Sequence, residues 1–137
     1  MLYEDLEDPE SVTAAELRRR YERAVADAAR TVGLDRAAEA AGVDHRVVTR
    51  EAADDGVFKT KNVPEGLARL VVGADGTVLG YQGLHYHADV MAKTMQVIVE
   101  LGLDVREVPD RSYHPTTPEI LDGLFREAAA AVRERNR

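Results

Sequence analysis

A histidine and a glutamate five residues apart, with a proline directly after the histidine, stand in Ser112-Tyr113-His114-Pro115-Thr116-Thr117-Pro118-Glu119-Ile120-Leu121. Imidazole titrates near neutrality, and a carboxylate on one ring nitrogen fixes the tautomer and favours the protonated form, so His114 and Glu119 are candidates for a proton-handling pair. The same residues also satisfy plain helix-start chemistry. Thr117 suits an N-cap, Pro118 the first helical position, and Glu119 the positive end of the helix dipole. A second candidate is His85 with His87, which share one face if that segment is extended and could hold a metal ion with Asp89 or His114. Two alternating histidines are a weak signal beside the more common solvent-facing role.

Around these residues the pattern of apolar positions sets the elements. Thr13 with Glu16 three residues later reads as a capping box opening a helix to about Val32, with Leu17, Tyr21, Ala24, Val25 and Ala28 at helical spacing. A short helix is expected over Leu34–Ala41, stopped by Gly42. His45–Arg50 is rich in branched residues and reads as a strand, and Val57–Thr60 as another short one. Leu67–Val72 and Thr77–Tyr81, joined by Gly73-Ala74-Asp75-Gly76, make a β-hairpin, because Asp and Gly tolerate the backbone angles of a tight turn. Ala88–Leu101 reads as a largely buried helix with Val90, Met91, Met95, Val97, Ile98 and Leu101 on a broad apolar face. Leu103–Val108 reads as extended, and a last helix runs from Pro118 to about Arg135. This order predicts an α+β fold, an antiparallel sheet flanked by helices, with residues 1–32 as a helical extension and residues 33–137 as the main domain.

Composition narrows the function classes. The 137 residues suit one core and leave no room for two catalytic domains. Lys+Arg 18 against Asp+Glu 25 gives a net charge of -7, which disfavours non-specific binding of nucleic acid. Lysine occurs only at Lys59, Lys61 and Lys93, and this acidic, lysine-poor usage would suit a salt-rich cytoplasm. Cysteine is absent, so the chain has neither a disulfide nor a redox thiol. No apolar run reaches membrane-spanning length and the acidic start lacks the core of a secretion signal, so the expected location is the cytoplasm. Arg18-Arg19-Arg20 reads as a solvated helix face.

Arg69-Leu70-Val71-Val72, Val78-Leu79-Gly80, the helix from Ala88, and His114-Pro115-Thr116 with Glu119 follow one another in an order and spacing that resembles the C-terminal dimerisation domain of the flavin-dependent pyridine nucleotide-disulfide oxidoreductases, the family of dihydrolipoamide dehydrogenase, glutathione reductase and mercuric reductase. Gly33 to Val43 is similar to that domain's first helix. The resemblance covers roughly Gly33 to Arg133 and is strongest from Gly66 to Ala129. It implies that His114 is the general acid/base for a thiol beside the flavin, that Glu119 holds its imidazole, and that both act across a dimer interface on the other subunit's disulfide. It also implies a homodimer, or association with a full-length flavoprotein that would carry FAD and NAD(P).

The departures are specific. No G-x-G-x-x-G opens a helix, so no cofactor is expected on this chain, and alone it is not expected to turn over substrate. The family's first strand is replaced by the stretch from Thr13 to Val32, and His85 stands where a glycine is common. The chain therefore looks like a stand-alone or truncated interface domain.

A competing reading places a helix-turn-helix within residues 13–50, with Ala38 in the first helix, Gly42 in the turn, and Val43, Val47 and Val48 on the second. Asp35, Glu39, Asp44 and Glu51 would then face phosphates, which counts against it. Residues 1–42 also resemble small acidic haloarchaeal proteins of unknown function. The state of His45–Arg50 discriminates between strand and DNA-reading helix.

Overall fold

Leu67 to Val72 and Val78 to Tyr81 do form the two arms of a hairpin, in a computed structural model that describes Thr13, residues 38–39 and residues 41–136. Three strands make one antiparallel sheet in the order β1 (His45–Glu51), β2 (Gly66–Gly73) and β3 (Val78–His85). β1 pairs with β2 from His45↔Gly73 to Glu51↔Leu67, and β2 with β3 from Gly66↔His85 to Val72↔Val78. The register slips between Val71 and Val72, where Val71 faces Gly80 and Val72 faces Val78, so Leu79 is the extra residue of a bulge. The turn is closed by Gly73 N–H to the Thr77 carbonyl at 2.8 Å, and Asp75 Oδ1 accepts from Thr77 N at 2.9 Å. Gly76 lies at φ 98, which its missing Cβ makes inexpensive.

Helices follow: α1 (Gly56–Thr60), α2 (Ala92–Glu100, preceded by a 3₁₀ turn at Ala88–Met91) and α3 (Glu119–Arg135). α2 and α3 cover one face of the sheet. Ala68, Leu70 and Val72 of the central strand join Met91, Met95 and Ile98, and Ile120, Leu124, Phe125 and Ala128, in one buried cluster. Along α3 these fall three and four residues apart, the spacing of one helix face. Truncating the fully buried Leu124 to Ala is expected to cost about 2–5 kcal/mol. Arg135, at the end of α3, pairs with Asp44 at the start of β1, and this ion pair holds the Asp44 carboxyl below the usual range.

Several expectations need correction. Residues 57–60 are helical, not extended, because Asp55 caps them: its Oδ1 accepts from Val57 N at 3.0 Å and from Phe58 N at 3.4 Å. Four residues can bury Val57 and Phe58 equally well in one helical turn once a cap satisfies its N–H groups. Leu103–Val108 is not a strand. It makes a single bridge, Thr77↔Asp104, after which Asp104 Oδ1 takes the Arg106 N–H at 2.8 Å and turns the chain. The helix after the hairpin is half exposed rather than buried: Met91, Met95 and Ile98 point inward, while Val90 at 50%, Val97 at 43% and Leu101 at 68% face out.

The residues that a DNA-reading helix would need are committed to β1, every one of them in register with β2 from His45 onward. The helix-turn-helix reading is therefore not favoured. Gly42 does stop a helix. Ala38 and Glu39 are helical, Val43 N–H reaches the Ala38 carbonyl at 2.9 Å and Gly42 N–H the Glu39 carbonyl at 3.0 Å, the Schellman pattern, with Gly42 at φ 69. The expected helix from Thr13 to Val32, the Arg18-Arg19-Arg20 face and the division at residue 33 lie outside the described residues. No helix among the described residues is long and apolar enough to cross a membrane.

Candidate functional site

The loop ahead of α3 is anchored from the helix. Asp122, buried in the first turn of α3, accepts from Ser112 N and Ser112 Oγ, both at 2.9 Å. Beyond this anchor the chain runs through Tyr113 to His114, and the His114–Pro115 peptide is cis. Thr116 Oγ1 donates to the Tyr113 carbonyl at 2.6 Å, closing the loop on itself. Glu119, one residue into α3, then reaches back and accepts the Thr116 N–H on Oε2 at 2.7 Å.

His114 Nδ1 stands 2.9 Å from Glu119 Oε1 and 3.1 Å from Oε2. One carboxylate thus does both jobs that the sequence suggests, satisfying an unpaired backbone donor at the helix start and engaging the imidazole. Thr117 makes no side-chain cap, contrary to expectation, and is buried instead. Partial burial of Glu119 pushes its carboxyl up, but the His114 ring and the Thr116 N–H together outweigh that and hold it below its usual value. With Nδ1 facing a carboxylate, the neutral ring carries its hydrogen there and leaves the Nε2 lone pair outward, on a side chain that is 76% exposed. Tyr113 beside it is 93% exposed.

The other histidines lie elsewhere. β3 ends at His85, and His87 has a left-handed backbone at φ 55, so the alternation that would put both on one face is broken. His85 Nδ1 donates to the Tyr86 carbonyl at 2.8 Å, which leaves Nε2 to accept from the Tyr81 hydroxyl at 3.3 Å. Its ring meets Phe58 edge-on at 5.1 Å between centroids. Both nitrogens are in use, and burial depresses the pKa of His85 and raises that of Tyr81. Among the described residues no group of three or more His, Cys, Asp or Glu is arranged to hold a metal ion.

Sequence reasoning missed two further features. Below the loop a cleft of about 430 Å³ opens between α3 and the end of β1, with His114 and Glu119 on one wall and Arg50 on the other. The Arg50 side chain lies against Gly123 so closely that a Cβ there would come within 3.0 Å of Nε and Cζ. A glycine inside a helix costs about 1 kcal/mol relative to alanine, and a Cβ at 123 would require the Arg50 side chain to give way. The glycine was the available signal. On the other side of α3 an apolar groove of about 490 Å³ runs between Val90, Val97, Leu121 and Phe125 and ends at Ser112 and Pro118, under the same loop.

An antiparallel sheet covered by a helix pair, with an exposed imidazole held at the mouth of the last helix, defines a small α+β domain. The family model of the pyridine nucleotide-disulphide oxidoreductase dimerisation domain matches residues 27–124, well over half the chain, and the chain belongs to that family. No curated protein matches it. The likeness of the N-terminal part to haloarchaeal proteins finds no support in these comparisons.

Proposed function

We propose that this domain joins a subunit to its partner and presents His114, oriented by Glu119, as an acid/base to a disulfide or thiol on that partner. The observation that carries the reading is the contact of Nδ1 with the Glu119 carboxylate at 2.9 Å, together with the exposure of the remaining ring nitrogen. Such an arrangement leaves a proton-accepting atom free to work on a group outside its own chain. Association with another subunit follows from membership of a dimerisation family. The partner is a second copy or a full-length flavoprotein, in the cytoplasm, and FAD and NAD(P) belong to that partner: no glycine-rich strand-to-helix turn stands in this sequence to cradle a dinucleotide. Residues 33–137 form the domain proper and residues 1–32 an extension, though the family match reaches back to residue 27.

Nitrogen-15 NMR of the histidine rings is the test. In the neutral state His114 is expected as the Nδ1–H tautomer, shifting toward Nε2–H in Glu119→Leu. An Nε2–H tautomer in the unsubstituted protein removes the reading.

A further inference from the structure

A further cavity, of about 390 Å³, opens between the second half of α3 and the chain from Val105 to Asp110, over a floor of Val105, Val108, Phe125 and Ala129. Three exposed arginines rim it, Arg106, Arg126 and Arg133, and Asp110 carries the one carboxylate in its lining. Arg106 is committed: its Nε donates to Asp104 Oδ1 and its Nη2 to the Asp75 carbonyl, both at 2.9 Å. Arg126 gives Nη1 to the Asp110 carbonyl, a neutral acceptor. Arg133 stands seven residues further, on the same helix face. It makes no hydrogen bond among the described residues and acts on the Asp104 carboxyl only through its field. Even with Asp104 counted, three cations face two carboxylates, so the cavity is positive in a chain of net charge -7.

The acidic charge of the chain is not spread evenly. Residues 1–12 hold Glu4, Asp5, Glu7, Asp8 and Glu10 with no Lys or Arg, so most of the net charge resides there. The chain also enters the described domain beside the cavity. Val43 N–H donates to the Ala38 carbonyl at 2.9 Å, Ala74 N–H to the Asp44 carbonyl at 3.1 Å, and Asp44 pairs with Arg135, two residues from Arg133. Ala74 lies in the hairpin turn whose Asp75 carbonyl holds Arg106. From Arg135 back to Arg126 the helix rises about 13 Å. Some thirty residues separate Asp8 from Ala38, and they cover that span even at about 1.5 Å each.

Exposed ion pairs are individually weak, so this rim would hold a separate acidic peptide poorly. A tether to the same molecule supplies an effective concentration on the order of millimolar, which keeps a weak site filled. We propose that Glu4-Asp5-Leu6-Glu7-Asp8 docks in this cavity of its own chain, with carboxylates on Arg126 and Arg133 and Leu6 toward the apolar floor.

The sequence has no cysteine, so Ser11→Cys accepts a single nitroxide next to the acidic run. In the full, isotope-labelled chain at low ionic strength, amides of residues 105–110, 126 and 133 are expected to lose about half or more of their intensity while the nitroxide is oxidised, following the docked population. Two sets of substitutions should restore it. Arg126→Gln with Arg133→Gln removes the rim charges; both side chains are exposed, and an unchanged thermal midpoint shows that the fold is kept. Glu4→Gln, Asp5→Asn, Glu7→Gln and Asp8→Asn together remove the segment's charge and alter no residue of the described domain. Salt at about 1 M, where charges are screened beyond about 3 Å, should act likewise. No broadening at these amides, broadening that survives either set of substitutions, or broadening centred on Val90 and Val97 instead overturns the proposal. Equal broadening when the nitroxide sits on an unlabelled chain mixed with a labelled one overturns it too, since the segment would then occupy another copy.

Discussion

Asp122 grips Ser112 twice, through the backbone N–H and the hydroxyl, and so ties the loop that carries His114 to the third helix ten residues further on. The grip is made by a buried carboxylate at the inner wall of the cleft, one helical turn from Glu119. Both carboxylates that hold the loop, Glu119 and Asp122, therefore stand on the first turn of one rigid element, which is how an exposed loop keeps the His114 side chain in a fixed orientation.

Removing the brace has a direct consequence. Asp122→Ala takes both acceptors from Ser112 and is expected to cost about 1.5–3 kcal/mol, the range for hydrogen bonds to a charged group. Asp122→Asn keeps one acceptor and is expected to cost less. Urea denaturation of the two variants measures the difference, and broadening of the His114 ring signals in Asp122→Ala reports the loosened loop. A loss no larger for Ala than for Asn would mean that Ser112 is held by something else.

Acid should expose the Glu119 contact. Its carboxyl titrates below the usual value in the folded chain, so the stabilisation it brings is complete above pH 4.5 and is lost as pH falls through the lower folded value. The urea midpoint of the unsubstituted protein is expected to drop more steeply below pH 4.5 than that of Glu119→Gln, which has no proton to gain there. Parallel curves would show that the contact contributes nothing to folding.

His85 produces the same kind of window at higher pH. Burial lowers its folded pKa below the 6.5 of a free ring, so below that pH the unfolded chain binds a proton that the folded chain refuses. Stability is full above pH 6.5 and declines as pH falls from there toward the lower folded value. Protonation would also cost the Tyr81 hydroxyl its acceptor. Thermal midpoints between pH 7.5 and 5 should therefore fall in the unsubstituted protein and stay flatter in His85→Asn.

What could be read beforehand divides along the range of the interactions. The hairpin was legible because Asp75-Gly76 and the apolar runs beside it are a local signal, and Gly42 ended its helix for an equally local reason. The contact of His114 with Glu119 spans five residues and was also within reach. By contrast, Val57–Thr60 is too short for periodicity to tell strand from helix, and the deciding atom was the Asp55 carboxylate. Which side of Val90, Met91, Met95 and Val97 faces the core depends on where the sheet lies, and the sequence pattern alone showed only that both sides are apolar. Arg50 and Gly123 are far apart in the chain, so the notch that unites them had no signature beyond an unexplained glycine in a helix.

The outward apolar side chains yield the last prediction. The sheet face beneath α2 and α3 is filled within the chain, and of the large apolar side chains left exposed among the described residues, which include Val43 and Leu79, a group lies in or beside α2, Val90, Val97 and Leu101, with Tyr113 next to His114. Val90 and Val97 line the groove that reaches Ser112 and Pro118, which puts the expected contact surface beside the loop that carries the imidazole. Val97→Glu and Leu101→Glu place a charge where a neighbouring subunit would have to desolvate it, at a cost of several kcal/mol if the contact is dry. Because both positions are exposed in the single chain, folding stability should change by no more than about 0.5 kcal/mol. Sedimentation equilibrium across micromolar concentrations is expected to show reversible self-association of the unsubstituted protein and at least about tenfold weaker association in each variant. Association that both charges leave unchanged would move the interface to another face of the domain.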